Sequence, residues 1–141
     1  MLDLVVRGGE VVDGTGSLRR RADVGVVGTR IAAIGSLDAA QAARSIDASG
    51  MVVAPGFVDP HSHSDWTVHA NREAQSTIRQ GVTTEIVGNC GIGNAPVSVS
   101  SQDGVTARLR AHGFAEQATW RSFSAYLDVV AAEGTSQNLA F

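Results

Sequence analysis

Most of the information about the fold lies in the stretch Met51-Val52-Val53-Ala54-Pro55-Gly56-Phe57-Val58-Asp59-Pro60-His61-Ser62-His63. Its first eight residues are nearly all apolar and do not alternate with polar ones, a pattern typical of a strand that is covered on both faces in a parallel sheet. Two histidines separated by one residue follow the apolar run. We therefore predict a buried parallel strand whose carboxyl end carries His61 and His63.

The preceding residues, 1–50, consist of short β-type runs that glycines interrupt. Asp13-Gly14 and Gly28-Thr29 stand between such runs, where tight turns require a positive φ, so the pattern predicts hairpins of a small antiparallel sheet. A helical turn is predicted at Ala39–Ala43 and a short strand at Ser45-Ile46-Asp47. The change of pattern near residue 51 divides the chain into two predicted domains, 1–50 and 51–141.

The residues after the two histidines alternate between helical and strand patterns. The predicted elements, in chain order, are a helix over Ala70–Gln80 stopped by Gly81, a strand over Val82–Val87, an exposed excursion over Ala95–Gly104, a helix capped by Thr119 and followed by Gly134, and the first residues of a strand at Leu139–Phe141. Strands that alternate with helices indicate βαβ units. We therefore predict an α/β fold with a parallel sheet for residues 51–141.

Charge and composition exclude several classes of protein. The 141 residues carry 11 basic and 14 acidic side chains, a net charge of −3, and no basic block is longer than Arg19-Arg20-Arg21, so a nucleic-acid partner is not expected. No apolar run approaches the ~18 residues of a membrane helix. The first ten residues do not resemble a secretory leader, and a single cysteine leaves no internal disulfide. We expect a cytoplasmic protein without a membrane partner.

The spacing of His61 and His63 suggests a metal site. Side chains two apart in an extended segment point to the same side, so both imidazoles are available to one ion such as zinc. Asp59 and Asp65 share that parity and are candidates for orienting an imidazole or lining the same opening. The alternative is that the two histidines simply cap a strand in solvent, although the carboxyl end of a parallel strand is where α/β proteins place their ligands.

Cys90 follows the next predicted strand, in the glycine-rich bend Gly88-Asn89-Cys90-Gly91. A thiolate beside two imidazoles is a typical zinc ligand set. Two alternatives remain open. A free cysteine is often an inert buried side chain, and a Cys–His pair can act as a nucleophile and base. The second is less favoured, because two histidines that leave one strand end together suit chelation better than a single general base.

Other polar and aromatic residues are predicted to be structural. Glu85 faces the opposite side from Thr84 and Ile86 and is predicted to be a solvated acid. His69 and His112 lie in polar stretches without partners at ligand spacing and are predicted to be surface residues. Trp66 is predicted to pack under its loop.

The quoted motifs resemble a known group, the amidohydrolase superfamily. Residues 54–63, Ala54-Pro55-Gly56-Phe57-Val58-Asp59-Pro60-His61-Ser62-His63, look like its entry into the first barrel strand. Residues 80–91, Gln80-Gly81-Val82-Thr83-Thr84-Glu85-Ile86-Val87-Gly88-Asn89-Cys90-Gly91, are similar to the D-aminoacylases, also called N-acyl-D-amino-acid deacylases. The resemblance implies part of a small β-sandwich at 1–50, then the first two βα units of a TIM-type (β/α)8 barrel, truncated, because a complete barrel takes ~250 residues.

The resemblance also implies a site and a reaction. His61 and His63 would bind one metal position and Cys90 a neighbouring zinc position, with one or two zinc ions in all. The substrate would be a small N-acyl-D-amino acid, hydrolysed at a linear amide to a D-amino acid and a carboxylate. The general-base Asp, two further His ligands and the group that holds the substrate carboxylate would follow Phe141. No catalytic residue is therefore predicted within this chain, and the isolated chain is expected to be inactive.

Two other functions stay open at this point. The first is a cyclic-amide amidohydrolase similar to hydantoinases and dihydroorotases. Those enzymes normally bridge two metals with a carboxylated lysine, and because all 11 basic residues here are arginine, the chain offers none. The second is a non-catalytic fragment that binds a metal or a partner.

Overall fold

The computed structural model describes residues 1–37 and 40–141, without the side chain of Glu133. The described residues form two compact units, Met1–Pro55 and Gly56–Phe141. Among them, no helix has the length and apolar character needed to cross a membrane. The helical turn predicted from Ala39 begins outside the described residues, and Ala42 already belongs to a strand.

The first unit is a five-stranded sheet. Its strands are β1 (Leu2–Val11), β2 (Arg20–Val27), β3 (Arg30–Gly35), β4 (Ala42–Asp47) and β5 (Val52–Val53). β1, β2 and β3 are antiparallel neighbours, as predicted. The prediction of an entirely antiparallel sheet is wrong, because β4 and β5 both run parallel to β1. Both strands pair with β1 on the side opposite β2. The chain crosses back before each of them and so runs in the same direction as β1.

The apolar run 51–58 is not a single strand. Val52 and Val53 pair with β1, whereas β6 (Phe57–Asp59) begins the sheet of the second unit. Pro55 lies between them and has no N–H to donate to a ladder. Phe57 and Val58 are 60% and 57% exposed, so the prediction of a strand covered on both faces is also wrong for this chain.

The second unit contains a parallel sheet. Its strands β6, β7 (Val82–Ile86) and β8 (Asn138–Ala140) lie in chain order, and both neighbouring pairs are parallel. Three helices, α1 (Gln75–Ile78), α2 (Gln102–Ala111) and α3 (Phe123–Glu133), accompany them, together with short 3-10 turns at Ser64–Trp66 and Asn89–Gly91. The predicted parallel α/β arrangement is confirmed for this unit.

The helices differ from their predicted bounds. The helix expected over 70–80 is only one turn long, because Ala74 has a left-handed backbone with φ of 43° directly before it. The chain nevertheless turns at Gly81, where φ is +86°, as predicted. α2 was not predicted, and it begins inside the stretch expected to be an exposed excursion.

α3 begins three residues later than a cap at Thr119 predicts. Its N-cap is Ser122, whose side chain accepts a hydrogen bond of 3.1 Å from the amide of Ala125. Gly134 ends the helix as expected. Trp120 therefore lies before the helix, yet it still belongs to the core.

The hydrophobic core of the second unit contains residues of α2 and α3, of the loop between them, and of two segments that precede α2. Its buried members are Val68, Val97, Val105, Leu109, Ala118, Trp120, Tyr126 and Val130. Helices with apolar residues at spacings of three and four bury those residues together on one face. This core supports the two segments that carry the predicted ligands.

Candidate metal centre

The three predicted ligands converge in the structure. One ligand atom from each of His61, His63 and Cys90 can be chosen so that all lie within 4.8 Å of one another. The Cys90 Sγ is 3.4 Å from the His61 Nε2. His61 and Cys90 are exposed and His63 is half-buried, so the group opens towards solvent.

Parallel pairing of β6 and β7 places the ligands at one sheet edge. The amide of Ser62 donates to the Ile86 carbonyl at 2.9 Å, which holds the histidine segment against the end of β7. The Asn89 Nδ2 donates to the carbonyls of Ser62 (3.0 Å) and Ile86 (2.9 Å). The segments that carry His61 and Cys90 are therefore bonded to each other through their backbones.

The backbone of Cys90 is held in a conformation that few residues adopt. Its φ is 60°, between glycines with φ of 77° and 69° at Gly88 and Gly91. A non-glycine residue in the left-handed region costs ~1–3 kcal/mol, and such strained residues are enriched at active sites and ligand-binding segments. In this conformation the thiol lies beside the His61 imidazole.

His63 packs against Trp66. Their ring centres are 4.7 Å apart with an interplanar angle of 40°, so the predicted packing role of Trp66 is confirmed. Within the part of the chain described, the His63 Nδ1 is buried and has no hydrogen-bond partner. Because a buried nitrogen normally has a partner, this unsatisfied atom fits a residue that binds a metal.

The two aspartates of matching parity do not join the ligand atoms. An oxygen of Asp59 accepts a hydrogen bond of 3.0 Å from the backbone amide of His61, which shapes the turn without contacting an imidazole. Asp65 is 1% exposed. Burial raises the pKa of Asp65 above its usual value, and this effect outweighs the backbone hydrogen bonds from its own amide and from Gly88, which lower the pKa.

Two residues predicted to be solvated are instead inside the second unit. Glu85 is fully buried and accepts a hydrogen bond of 2.5 Å from the Gln137 Nε2. Along β7, the side chain of Glu85 points to the opposite face of the sheet from those of Thr84 and Ile86, as predicted. That face is the covered one in the structure, so the alternation was right and the prediction of solvent exposure was wrong.

His69 is also inside rather than on the surface. Its ring centre lies 4.7 Å from that of Phe114, 5.6 Å from that of Trp120 and 5.7 Å from that of Tyr126. His112 is exposed, as predicted.

Sequence reasoning missed two residues next to the ligand segments. Asn94 is 3% exposed and lies four residues after Cys90. Arg108 reaches it from α2, with its Nη2 3.0 Å from the Asn94 Oδ1. The position of Arg108 depends on a helix that was not predicted, and no local pattern marks Asn94.

Comparison with known proteins identifies the family of the chain. The family model described as the amidohydrolase family matches residues 44–135, so the chain belongs to the amidohydrolase family. A curated N-acyl-D-glutamate deacylase of Alcaligenes xylosoxydans xylosoxydans is 55% identical over 95 residues, 67% of this chain and 20% of that protein. A D-aminoacylase of the same organism is 42% identical over 138 residues, 98% of this chain and 28% of that protein.

A solved structure gives the same result for the fold. The N-acyl-D-glutamate deacylase of Bordetella bronchiseptica, complexed with zinc and a phosphonate mimic of the tetrahedral intermediate, is 40% identical with a TM-score of 0.84. The match covers 98% of this chain and 28% of that one. The chain therefore has the α/β fold of the corresponding part of these enzymes, and it spans only 20% and 28% of the two curated relatives.

Proposed function

We propose that this chain supplies part of the zinc site of a hydrolase that removes the acyl group from N-acyl-D-amino acids, giving a D-amino acid and a carboxylate. The observation that carries the proposal is the convergence of His61, His63 and Cys90 at neighbouring strand ends. The curated relatives are deacylases of this substrate class, and one solved relative holds zinc with a mimic of the tetrahedral intermediate.

The donor set suits zinc. Two imidazoles and one thiolate are ligands of intermediate softness, which zinc prefers, and His63 has a buried nitrogen in need of a partner. We assign His61 and His63 to one metal position and Cys90 to a neighbouring one. A zinc ion held there supplies a Lewis acid that polarises the acyl carbonyl and makes water more acidic.

The residues of this chain bind and orient, and they do not complete the reaction. His61 and Cys90 are exposed, which leaves the site open to a small acylated amino acid. We assign no general base to the chain. Because the chain spans 28% of the D-aminoacylase, we expect it to bind zinc without hydrolysing substrate by itself.

The finer architecture is part of the same proposal. We assign the first unit, Met1–Pro55, to a small β-sandwich domain and the second, Gly56–Phe141, to the first two βα units of a (β/α)8 barrel. The boundary predicted between residues 50 and 51 moves to Pro55 because Val52 and Val53 pair with β1. The consecutive parallel strands β6, β7 and β8 support the barrel assignment. A cytoplasmic location is proposed from the single cysteine.

Metal binding is tested first. Zinc affinity of the chain is measured by competition with a chromophoric chelator for the unchanged chain and for Cys90→Ser, His61→Ala and His63→Ala. Each substitution removes one ligand, so we expect at least a 10-fold loss of affinity, while Glu116→Ala, which removes an exposed carboxylate outside the ligand segments, serves as control and stays unchanged. Equal affinity in all five proteins would refute the site.

The reaction is tested in a hybrid enzyme. Residues 1–141 replace the matching segment of the D-aminoacylase of Alcaligenes xylosoxydans xylosoxydans, to which 138 residues align at 42% identity. We expect release of D-amino acid from the N-acetyl-D compound but not from its L enantiomer, and loss of release with Cys90→Ser. Opening of a hydantoin ring in place of deacylation would favour a cyclic-amide hydrolase.

A further inference from the structure

We propose that Asn94 and Arg108 are positioning residues for the metal site, because together they hold the segment that carries Cys90 against the segment that carries His63. We call these two side chains the Asn94–Arg108 bridge. The inference rests on the proposed zinc site, in which His63 and Cys90 are ligands.

Asn94 joins the two ligand segments through its side-chain amide. The Asn94 Nδ2 donates to the main-chain oxygen of Asp65 at 2.8 Å and to its Oδ2 at 3.4 Å. Asp65 follows His63 by two residues, and Asn94 follows Cys90 by four. The amide of Asn94, a residue 3% exposed, therefore adds a second link between the two ligand segments, beside the hydrogen bonds of Ser62 and Asn89.

Arg108 reaches the same two segments from α2. Its Nη2 donates to the Asn94 Oδ1 at 3.0 Å and to the Gly93 carbonyl at 2.9 Å. Its Cζ lies 5.7 Å from the centre of the Trp66 ring, a cation–π contact. Trp66 packs in turn on His63. Arg108 thus contacts the cysteine segment directly and the histidine segment through one aromatic ring.

The bridge is anchored in the aromatic core. The Trp120 Nε1 donates to the Asn94 main-chain oxygen at 2.6 Å, and the Tyr126 hydroxyl donates to the Asp65 main-chain oxygen at 3.4 Å. Both aromatic rings are buried, 6% and 1% exposed. Burial raises the pKa of Tyr126 to about 12, so the hydroxyl stays protonated and can donate at neutral pH. Hydrogen bonds from two buried core residues therefore hold the main chain at Asn94 and at Asp65 in place.

A positioning role and a charge effect predict opposite results for Arg108. Its positive charge repels a bound cation, so charge alone predicts that Arg108→Met increases zinc affinity. A positioning role predicts the reverse, because the substitution removes the hydrogen bonds to Asn94 and Gly93. The sign of the change therefore separates the two explanations.

The test measures metal binding by the chain with Asn94→Ala, Arg108→Met and Arg108→Lys. Zinc affinity comes from chelator competition, and ligand geometry comes from the visible spectrum of the cobalt-substituted chain, including its thiolate charge-transfer band. We expect Asn94→Ala and Arg108→Met to bind zinc ~10-fold more weakly with a weakened or shifted band, and Arg108→Lys to recover part of the loss. Arg110→Met, an exposed residue of the same helix that loses the same charge, should match the unchanged chain.

The outcomes separate this inference from the proposed function. An unchanged chain without a thiolate band overturns the zinc site, and the bridge with it. A normal band in the unchanged chain, with wild-type affinity in both Asn94→Ala and Arg108→Met, overturns the bridge alone. If circular dichroism shows that Asn94→Ala is unfolded, Arg108→Met decides the question, and tighter binding by it would establish the charge effect instead.

Discussion

The two units each bury an aspartate, and they treat it in opposite ways. In the first unit, Asp23 is 7% exposed and accepts backbone hydrogen bonds at both oxygens, from Gly8 at 2.8 Å and from Leu37 at 2.9 Å. These bonds lower the pKa of Asp23, and the Arg7 guanidinium 3.8 Å away adds to the effect. The carboxylate ties a bulge of β1 to the end of β3.

In the second unit, burial raises the pKa of Asp65 instead. Its Oδ2 receives one long hydrogen bond from Asn94. Backbone hydrogen bonds from Gly88 and from its own amide lower the pKa but do not offset burial. Beside it, the His63 Nδ1 and the Trp66 Nε1 are buried without a hydrogen-bond partner in the described part of the chain. Buried polar groups normally have hydrogen-bond partners, so the unsatisfied nitrogen of His63 needs an explanation, and a bound metal ion would supply one. The comparison therefore indicates a structural role for Asp23 and supports the proposal of a metal site in the second unit.

The largest expected effect concerns the core beneath the site. Leu109 is fully buried, so Leu109→Ala should lower the free energy of unfolding by ~3 kcal/mol, the cost of lost apolar contact plus a cavity. Chemical denaturation measures this change. Leu127→Ala, at a position 37% exposed, is the control and should cost less than ~1 kcal/mol. Equal losses would mean that the second unit is not organised around this core.

The next prediction tests the two aspartates directly. Asp23→Asn replaces one acceptor oxygen by an NH2 group that faces a backbone amide, so the thermal midpoint should fall by roughly 3–6 °C. Asp65→Asn removes a buried charge that lacks full compensation, and its midpoint should stay level or rise. Differential scanning calorimetry compares the two variants. A fall in both, or a fall in Asp65→Asn only, would break the contrast between the units.

A smaller effect is expected at the start of α3, which carries Tyr126 and Val130 into the core. Ser122→Ala removes the hydrogen bond to the Ala125 amide and should cost ~1 kcal/mol in unfolding free energy. Ser124→Ala, an exposed position inside the same helix, should cost nothing measurable by denaturant titration. Similar values for both substitutions would remove Ser122 as the cap.

The smallest expected effect is on pH dependence. Because the pKa of Asp23 is lower in the folded chain than its usual 3.8, its stabilising contribution is complete above about pH 4 and is lost as pH falls below that value. Asp13, whose pKa is lowered to about 2 by Thr15 and Arg20, behaves in the same direction. The midpoint difference between the unchanged chain and Asp23→Asn should therefore shrink from pH 5 to pH 3. A difference that grows instead would contradict the assigned direction.

The sequence carried the strand-end ligands because their pattern is local. The spacing of two histidines directly after one strand and a cysteine after the next strand were enough to predict that His61, His63 and Cys90 converge, although β6 ends at Asp59, before both histidines. The burial of Glu85 was not accessible in this way, since its partner Gln137 lies 52 residues away. The sequence did not predict α2, because Gly104 lies inside it and only Val105 and Leu109 form its apolar face.

The predicted bounds of helices and strands were wrong where the backbone departs from regular geometry. Residues 70–80 have a composition typical of a helix, but an alanine at position 74 does not predict the left-handed φ of 43° that precedes the single turn of α1. The apolar run 51–58 divides between two sheets, and composition does not specify which partner each half will find. Pairing over long distances decided both the parallel β4 and β5 and the end of the first unit.

The left-handed backbone of Cys90 limits what evolution can place there. Among residues that ligate zinc, aspartate and histidine tolerate this conformation better than most, whereas glutamate gains nothing from its backbone. Glycine or asparagine would relax the chain but remove a good ligand. A substitution at position 90 must therefore satisfy two independent requirements, a left-handed backbone and a ligand atom, so a change of metal preference at this site would most easily proceed through aspartate or histidine.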